Sequence, residues 1–254
     1  MKKLHKALEK HAKHHKINVQ RMFEIFVDMQ YMYVIRGISN AKYDSYARSV
    51  GELTTVYLNE IKRKPFRDTL GELMAHINVL KNGRRDKHCQ HLTPTPLSYA
   101  VSQMMDVDTD VKDISYVSDI ACGTGALVLS KLKEFKQKRQ SKEVALVLND
   151  LDSFACKVVV IQIEYNNYLH INFPISYLVY NHDALLEYEH FALKGITKRT
   201  KIMGCDVPAL ITNQEIRKTF GSQEHIESAL LIRSMFTIQA FNKKLTTPEI
   251  KSAA

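Results

Sequence analysis

Val-Ser-Asp-Ile-Ala-Cys-Gly-Thr-Gly-Ala-Leu-Val-Leu-Ser, residues 117–130, is the stretch that decides the fold. An apolar segment with β-strand character, 114–117, leads into it and stops at Asp119. Gly123 and Gly125 follow in a short turn, where they can adopt backbone angles that are closed to other residues. Apolar residues at helical spacing begin directly after Gly125, so the stretch predicts a strand, a tight glycine turn and a helix N-terminus. Such an N-terminus carries unpaired N–H groups and the positive end of the helix dipole.

The residues around this turn indicate which kind of ligand it suits. A dinucleotide-binding fingerprint needs a third glycine, and Val128 stands at that position. Asp119 precedes the turn, and a carboxylate there would repel a phosphate group. The pattern therefore favours a cationic ligand that carries hydroxyl groups.

The segment Asp-Ile-Ala-Cys-Gly-Thr-Gly, 119–125, resembles the S-adenosylmethionine (AdoMet) loop of adenine-N6 DNA methyltransferases, especially the type I modification-subunit group. The family's pattern there is Asp-Pro-Ala-Cys-Gly-Thr/Ser-Gly, from which this chain departs only at Ile120. The alternative is an ordinary strand-to-helix turn without a ligand. The resemblance implies cofactor contacts for Asp119, Ala121, Cys122, Gly123 and Gly125.

A second segment, Gln90-His91-Leu92-Thr93-Pro94, is similar to the family's Gln-Phe-x-Thr-Pro stretch, which closes over the methionine end of AdoMet. The resemblance implies a cofactor contact for Thr93, although His91 replaces the usual aromatic residue. Taken alone, the segment predicts a helix that is capped by Thr93, uses Pro94 or Pro96 in its first turn and runs to about Asp106.

Strands alternate with helices after the glycine turn, with strands expected at 144–148, 176–180 and 200–203 and a helix from 153 to about 168. Two further helices are expected at about 213–220 and 223–242. This alternation predicts a parallel sheet with right-handed crossovers. Ligands of such sheets bind at the carboxyl ends of the strands.

Acidic residues follow the first three predicted strands, namely Asp119, Asp150 and Asp183. A carboxylate at the second strand end can accept both hydroxyl groups of a ribose. Asp150-Leu-Asp152 looks like the family's Glu-x-Asp, and the segment around Asp183 resembles the Gly-Asp-Ser-Leu segment whose acid binds the adenine amine of AdoMet. The resemblance therefore implies cofactor contacts for Asp150, Asp152 and Asp183. The alternative is that each of these acids only caps a helix.

The catalytic element of the family, Asn/Asp-Pro-Pro-Tyr/Phe after the fourth strand, is degenerate here. No Asn-Pro-Pro occurs in the chain, and the nearest stretch is Asp206-Val207-Pro208-Ala209. The resemblance implies that Asp206 accepts a hydrogen bond from the flipped adenine and that Pro208 keeps one proline of the element. Val207 replaces the first proline, and Ala209 removes the ring that would stack on the base. The alternative is that Asp206 is an ordinary turn residue.

The excess positive charge of the chain lies in its first third. Residues 1–90 contain 18 Lys and Arg against 9 Asp and Glu, whereas residues 91–254 contain 18 of each. Periodic apolar residues predict helices at 17–35, 43–64 and 66–80, after a frayed or exposed helix at 1–16. We therefore expect a basic helical domain, 1–90, before an AdoMet-binding domain, 91–254. The excess positive charge favours a DNA or RNA partner, and a solvated helical face is the alternative.

Several classes of protein are disfavoured by the composition. No window of 18 unbroken apolar residues and no secretory signal are found, so we expect no membrane association and a cytoplasmic location. Four widely spaced cysteines predict neither a metal site nor disulfides. The 45 residues after Ala209 are too few for a target-recognition domain. Sequence specificity would therefore come from a partner subunit or from the N-terminal helices.

These observations lead to an α/β, Rossmann-like AdoMet-dependent methyltransferase fold preceded by a small helical domain. The expected function is adenine-N6 DNA methylation of the restriction-modification type, with AdoMet as cofactor and DNA as partner. The alternative is a catalytically inactive homologue that serves as a partner subunit, a DNA-binding regulator or an anti-restriction decoy. A methyltransferase that acts on RNA or on a small molecule is a third hypothesis.

Overall fold

The computed structural model describes residues 2–32, 41–77, 92–105, 112–138, 141–171, 173–184 and 201–206. A short 3-10 helix, Ala41–Tyr46, precedes the third α-helix. The α-helices are α1 (Lys2–His14), α2 (Val19–Gln30), α3 (Ala47–Arg63), α4 (Thr69–His76), α5 (Thr95–Met104), α6 (Ala126–Lys138) and α7 (Ser153–His170). The strands are β1 (Lys112–Asp119), β2 (Ser141–Asp150), β3 (Ile175–Asn181) and β4 (Lys201–Asp206). The helices predicted at 213–220 and 223–242 lie outside the described residues.

The strands form one sheet in the order β1-β2-β3-β4. β2 is parallel to both β1 and β3, which confirms an α/β protein with a three-strand parallel sheet and flanking helices. The predicted sheet is rich in parallel strands and has flanking helices, and β4 departs from the parallel direction because it pairs antiparallel with β3. Lys201 lies opposite Asn181, so β4 starts at the edge where β3 ends. A short apolar run predicts a strand but says nothing about its direction.

Helix α7 occupies the centre of the protein. It contacts β2, β3 and β4 on one side and α2, α3 and α4 on the other. A helix that is apolar on most of its faces is buried on most of them. Its fully buried apolar residues include Val158, Val159, Val160, Ile161 and Ile163. The N-terminal helices, α1 to α4, and the sheet therefore pack on opposite sides of α7. Their buried residues form one hydrophobic cluster with it.

Helix α1 is packed onto the protein, so the prediction of a frayed or exposed helix is wrong. Leu4 and Leu8 are fully buried and Ala12 nearly so, because residues four apart fall on one face of a helix. This face contacts α2 and α3. The boundary predicted at residue 90 lies outside the described residues.

Polar contacts also tie the N-terminal helices to α7. Lys157 Nζ lies 2.7 Å from Asp28 Oδ1 on α2, and the Tyr165 hydroxyl donates a hydrogen bond to the side chain of Gln30. The backbone N–H of Phe66, just before α4, donates to Asn166 Oδ1 at 2.8 Å. Because these bonds join distant segments, they set the register of the helices against α7.

Candidate functional site

The side chain of Asn149 joins the turns that follow the three parallel strands. Its amide nitrogen Nδ2 donates to the carbonyl oxygens of Ile120, at 3.0 Å, and His182, at 3.1 Å. The backbone carbonyl oxygen of Asn149 accepts a hydrogen bond from the N–H of Cys122 at 2.9 Å. One residue at the end of β2 therefore holds the turns after β1 and β3 beside it.

The three acids predicted at strand ends all lie at this carboxyl edge. Asp119 ends β1 opposite Leu148, and Asp150 ends β2 opposite Asn181. Asp183 follows two residues after the end of β3 and is half-buried. Since parallel strands end at the same edge of a sheet, the acids meet there although they are far apart in sequence.

Asp150 shapes the glycine turn. Its Oδ2 accepts the N–H of Gly123 at 2.8 Å, and its Oδ1 accepts the N–H of Asp152 at 2.8 Å. A carboxylate has about four lone-pair positions, so each oxygen can accept a further hydrogen bond. Asp150 can therefore hold the turn and still bind hydroxyl groups of a ligand.

Asp119 is a carboxylate that is costly to ionise. Burial raises its pKa, and the nearby Asp150 raises it further, whereas the hydrogen bond that Oδ1 accepts from the N–H of Ala121 at 3.1 Å lowers it. A cation beside the carboxylate would lower this cost by favouring the charged form. The pair of acids thus makes this edge suitable for a positively charged group.

The two glycines of the turn have different surroundings. Gly123 has φ +53°, and among the described residues no heavy atom lies within 4 Å of the position that a Cβ would take. Gly125 has φ +95°, and its Cβ would lie 2.5 Å from Cγ2 of Val159 on α7. No described residue therefore fills the space beside Gly123, whereas Gly125 allows the turn to pack directly on α7.

Cys122 lies in the same turn but is buried, with 6% of its surface exposed. Burial raises the pKa of its thiol well above the ordinary value, and the nearby Cys156 raises it further. The thiol is therefore neutral and unreactive, and contact with a ligand at Cys122 would run through the backbone. The neighbouring Ala121 is exposed.

Asp152 has a structural partner. It is the N-cap of α7, and its Oδ1 accepts the N–H of Phe154 at 2.9 Å. With 9% of its surface exposed, it offers little to a ligand. Its position matches the alternative of a helix cap.

Thr93 does not cap the helix that follows it, and this prediction is wrong. The N-cap of α5 is Pro94, which makes no side-chain capping bond, and the helix ends at Met104, before the predicted Asp106. A helix with Pro96 early in its first turn leaves Thr93 outside the capping position. Thr93 itself is half-buried. Helix α5 packs on α6, the helix that starts at the glycine turn.

The structure places Asp206 apart from the three strand-end acids. It lies opposite Tyr177, four positions before Asn181 at the end of β3. At about 3.3 Å per residue, this is roughly 13 Å from the carboxyl edge. The antiparallel direction of β4 is the cause, since its last residue points to the opposite edge. Pro208 lies outside the described residues.

Sequence analysis did not predict a buried contact between the glycine turn and the N-terminal helices. The carboxylate of Asp68, 2% exposed, accepts the hydroxyl proton of Thr124 at 2.6 Å and the Nε2 proton of Gln162 at 2.8 Å. Asp68 also caps α4 by accepting the N–H of Gly71 at 2.9 Å. The pattern Asp-Thr-Leu-Gly-Glu indicates the cap, but no local signal indicates the partners on the turn and on α7.

No protein-family model, curated protein or solved structure matches the chain. In the parts of the chain that the structure describes, no group of three or more His, Cys, Asp or Glu residues is placed to hold a metal ion. The helices in these parts are too short or too polar to cross a membrane.

Proposed function

We propose that the chain binds AdoMet at the carboxyl edge of its parallel strands, as an adenine-N6 DNA methyltransferase-type protein of a restriction-modification system. The observation that carries this proposal is the position of Asp119 and Asp150, which both bond to backbone N–H groups of the glycine turn, where no described heavy atom lies within 4 Å of a Cβ on Gly123. The Rossmann-like methyltransferase fold is part of the proposal, and the three-strand parallel sheet supports it.

The parts of AdoMet match the groups at this edge. Its cationic methionine end suits Asp119, whose ionisation a positive charge favours. Its ribose hydroxyls suit Asp150, because each carboxylate oxygen can accept more than one hydrogen bond. Asp183, just beyond the end of β3, is assigned to the adenine amine on the strength of the family resemblance.

Calorimetry with AdoMet is expected to show binding by the wild-type protein and at least a hundredfold weaker binding by Asp150→Ala. This variant removes the ribose acceptor and also the bond that fixes the N–H of Gly123. Asp119→Ala is expected to weaken binding similarly. A matched control is Glu143→Gln, which removes a carboxylate near the start of β2, at the opposite end of the same strand. Absence of any heat with the wild-type protein would defeat the proposal.

A second candidate function is that of an AdoMet-binding subunit without transfer activity of its own. The position of Asp206 favours it, since this residue lies opposite Tyr177 and not at the carboxyl edge. A tritiated-methyl transfer assay on unmethylated genomic DNA, with and without candidate partner subunits, separates the two functions. Transfer to adenine supports the enzyme, and AdoMet binding without transfer supports the subunit.

DNA is proposed as the partner of the N-terminal helices. In α1, Leu4 and Leu8 face the core, so Lys3, Lys6 and Lys13 are left exposed. A helix with such a basic outer face can neutralise phosphates and release their counterions. We therefore assign the DNA contact to the outer face of α1.

The double variant Lys6→Gln/Lys13→Gln is expected to weaken DNA binding and to make it less dependent on salt. Each lost phosphate contact reduces the slope of log K against log salt by about 0.9, so the slope should fall by roughly 2. Fluorescence anisotropy with duplex DNA over a salt series measures this slope. The matched control, Lys133→Gln/Lys136→Gln on α6, should keep it. Equal slopes for the two double variants would contradict the assignment to α1.

A further inference from the structure

We propose that Asp68, which lies on the N-terminal helices, is a positioning residue for the cofactor turn and sets its affinity for AdoMet through Thr124. The identity of the ligand rests on the function proposed above. The positioning of the turn rests on contacts among described residues. Through this contact, the N-terminal helices would contribute to the affinity of the cofactor site.

Thr124, between the two glycines, is held by hydrogen bonds at its hydroxyl and at its backbone carbonyl. Its side chain is 2% exposed, and its hydroxyl donates to Oδ2 of Asp68 at 2.6 Å. Its backbone carbonyl accepts the Nε2 proton of Gln162 at 2.8 Å. Because both groups are bonded to residues outside the turn, Thr124 cannot rotate without breaking two buried hydrogen bonds.

Gln162 closes the contact into a ring. The same Nε2 that reaches the turn also donates to Oδ1 of Asp68, and Oε1 of Gln162 accepts the N–H of Leu70 at 3.1 Å. Three elements therefore meet at one point, namely the start of α4, the middle of α7 and the glycine turn. A displacement of α4 would be transmitted to the turn through these bonds.

The carboxylate of Asp68 is closely packed against Gly71 and Thr124, with no room for a further side chain. A Cβ on Gly71 would lie 2.2 Å from Oδ2 of Asp68 and 2.3 Å from Oγ1 of Thr124. Only a residue without a side chain permits α4 to approach the turn this closely. The N–H of Gly71 also donates to Asp68 Oδ1, so the carboxylate has one defined orientation.

An uncharged residue such as Ser or Asn could cap α4, so the capping role alone does not explain why residue 68 is an aspartate. Burying an acid is costly, and burial raises the pKa of Asp68, although its hydrogen bonds to Thr124 and Gln162 lower it. In return, hydrogen bonds to a charged acceptor are shorter and stronger than neutral ones. A turn that is held rigid before binding loses less conformational freedom on binding. We therefore expect the contact to act on ligand affinity as well as on folding.

The test uses Thr124→Val, which removes the hydroxyl but keeps the branched shape. We expect the AdoMet dissociation constant to rise at least tenfold. We also expect backbone amides at 122–127 to exchange with deuterium at least tenfold faster in the ligand-free protein. Thr124→Ser, which keeps the hydroxyl, should restore both quantities to within threefold of wild type. Calorimetry and exchange mass spectrometry measure them.

The matched control is Tyr165→Phe, which removes a hydrogen bond between α7 and Gln30 on the N-terminal helices without touching the turn. It should lower the unfolding free energy but leave exchange at 122–127 and AdoMet affinity unchanged. If Thr124→Val behaves like Tyr165→Phe in both measurements, Asp68 is a structural anchor only and the inference is overturned. If Thr124→Val does not fold, Thr124→Ala replaces it, since alanine also lacks the hydroxyl that donates to Asp68.

The two proposals fail in distinguishable ways. If the wild-type protein shows no AdoMet binding, the proposed function is wrong, and exchange at 122–127 still decides whether Asp68 positions the turn. If AdoMet binds with equal affinity to wild type and to folded Thr124→Val, the function stands and the positioning role is refuted.

Discussion

Gly125→Ala is expected to lose about 2–6 kcal/mol of unfolding free energy and all measurable AdoMet binding. A backbone angle of φ +95° strains any residue with a side chain, and the added Cβ would lie 2.5 Å from Cγ2 of Val159. Backbone strain of this kind costs about 1–3 kcal/mol, and overpacking of a core adds about 1–3 kcal/mol.

The Gly125→Ala substitution should disturb the candidate site because α7 cannot move away from the added Cβ. Val159 is fully buried at the centre of the core, where close packing leaves little room for displacement. The turn must therefore move, and the bond between the N–H of Gly123 and Asp150 would be lost with it. Stability and binding should decline together in this variant.

Gly51→Ala provides the matched control. Gly51 is an exposed residue inside α3, and no described heavy atom lies within 4 Å of the position of its added Cβ. Alanine is favoured over glycine by about 0.5–1 kcal/mol in a helix, so this variant should be slightly more stable than wild type and bind AdoMet normally. Urea unfolding and calorimetry measure both quantities. A Gly125→Ala protein as stable as wild type would show that the turn does not pack as described.

Asp68→Ala is expected to lower the unfolding free energy by about 3–5 kcal/mol, since a broken buried network leaves several donors without an acceptor. The donors concerned are the hydroxyl of Thr124, the amide of Gln162 and the N–H of Gly71. The loss is smaller than the sum of three separate bonds, because the cost of burying the carboxylate also disappears. Urea unfolding measures it. Asp44→Ala, which removes an exposed acid from the 3-10 helix, should remain close to wild type.

The pH dependence of stability identifies the contribution of the Asp68 charge. Burial raises the pKa of Asp68 above its ordinary value of 3.8, so the folded state holds the proton more tightly than the unfolded chain. Stability must then fall as the pH rises from 3.8 through the raised pKa, because ionisation is harder in the folded state. Below 3.8 the acid is protonated in both states and this penalty vanishes.

Comparison with Asp68→Asn isolates this effect from other titrating groups. The unfolding free energy of wild type minus that of the variant should decrease with rising pH over this window and then become constant. A difference that stays flat, or that increases with pH, would show that the hydrogen bonds to Asp68 outweigh its burial.

Local patterns predicted the elements around the candidate site. The strand, turn and helix at 114–132 occur as β1, the glycine turn and α6, and the apolar runs at 144–148 and 176–180 lie within β2 and β3. These predictions hold because the periodicity of apolar residues and the backbone freedom of glycine act over a few residues. The position of three acids at one edge also follows from the sequence, since it needs only parallel strands.

Other features depended on contacts that no local pattern contains. The apolar stripe of α1 was readable at Leu4 and Leu8, but the surface that buries it was not. The direction of β4 is decided by pairing with β3, and it moves Asp206 away from the edge where the acids meet. Sequence reasoning places a strand end correctly only when the direction of the strand is known.

The glycine turn and the acids around it can be predicted from local sequence, because each is encoded within a segment of a few residues. The contact between Asp68 and Thr124, 56 residues apart in the chain, depends on how the folded helices pack. Burial explains this difference. A carboxylate withdrawn from water must find donors wherever the packed helices bring them, and α4, α7 and the turn supply them only after the chain has folded.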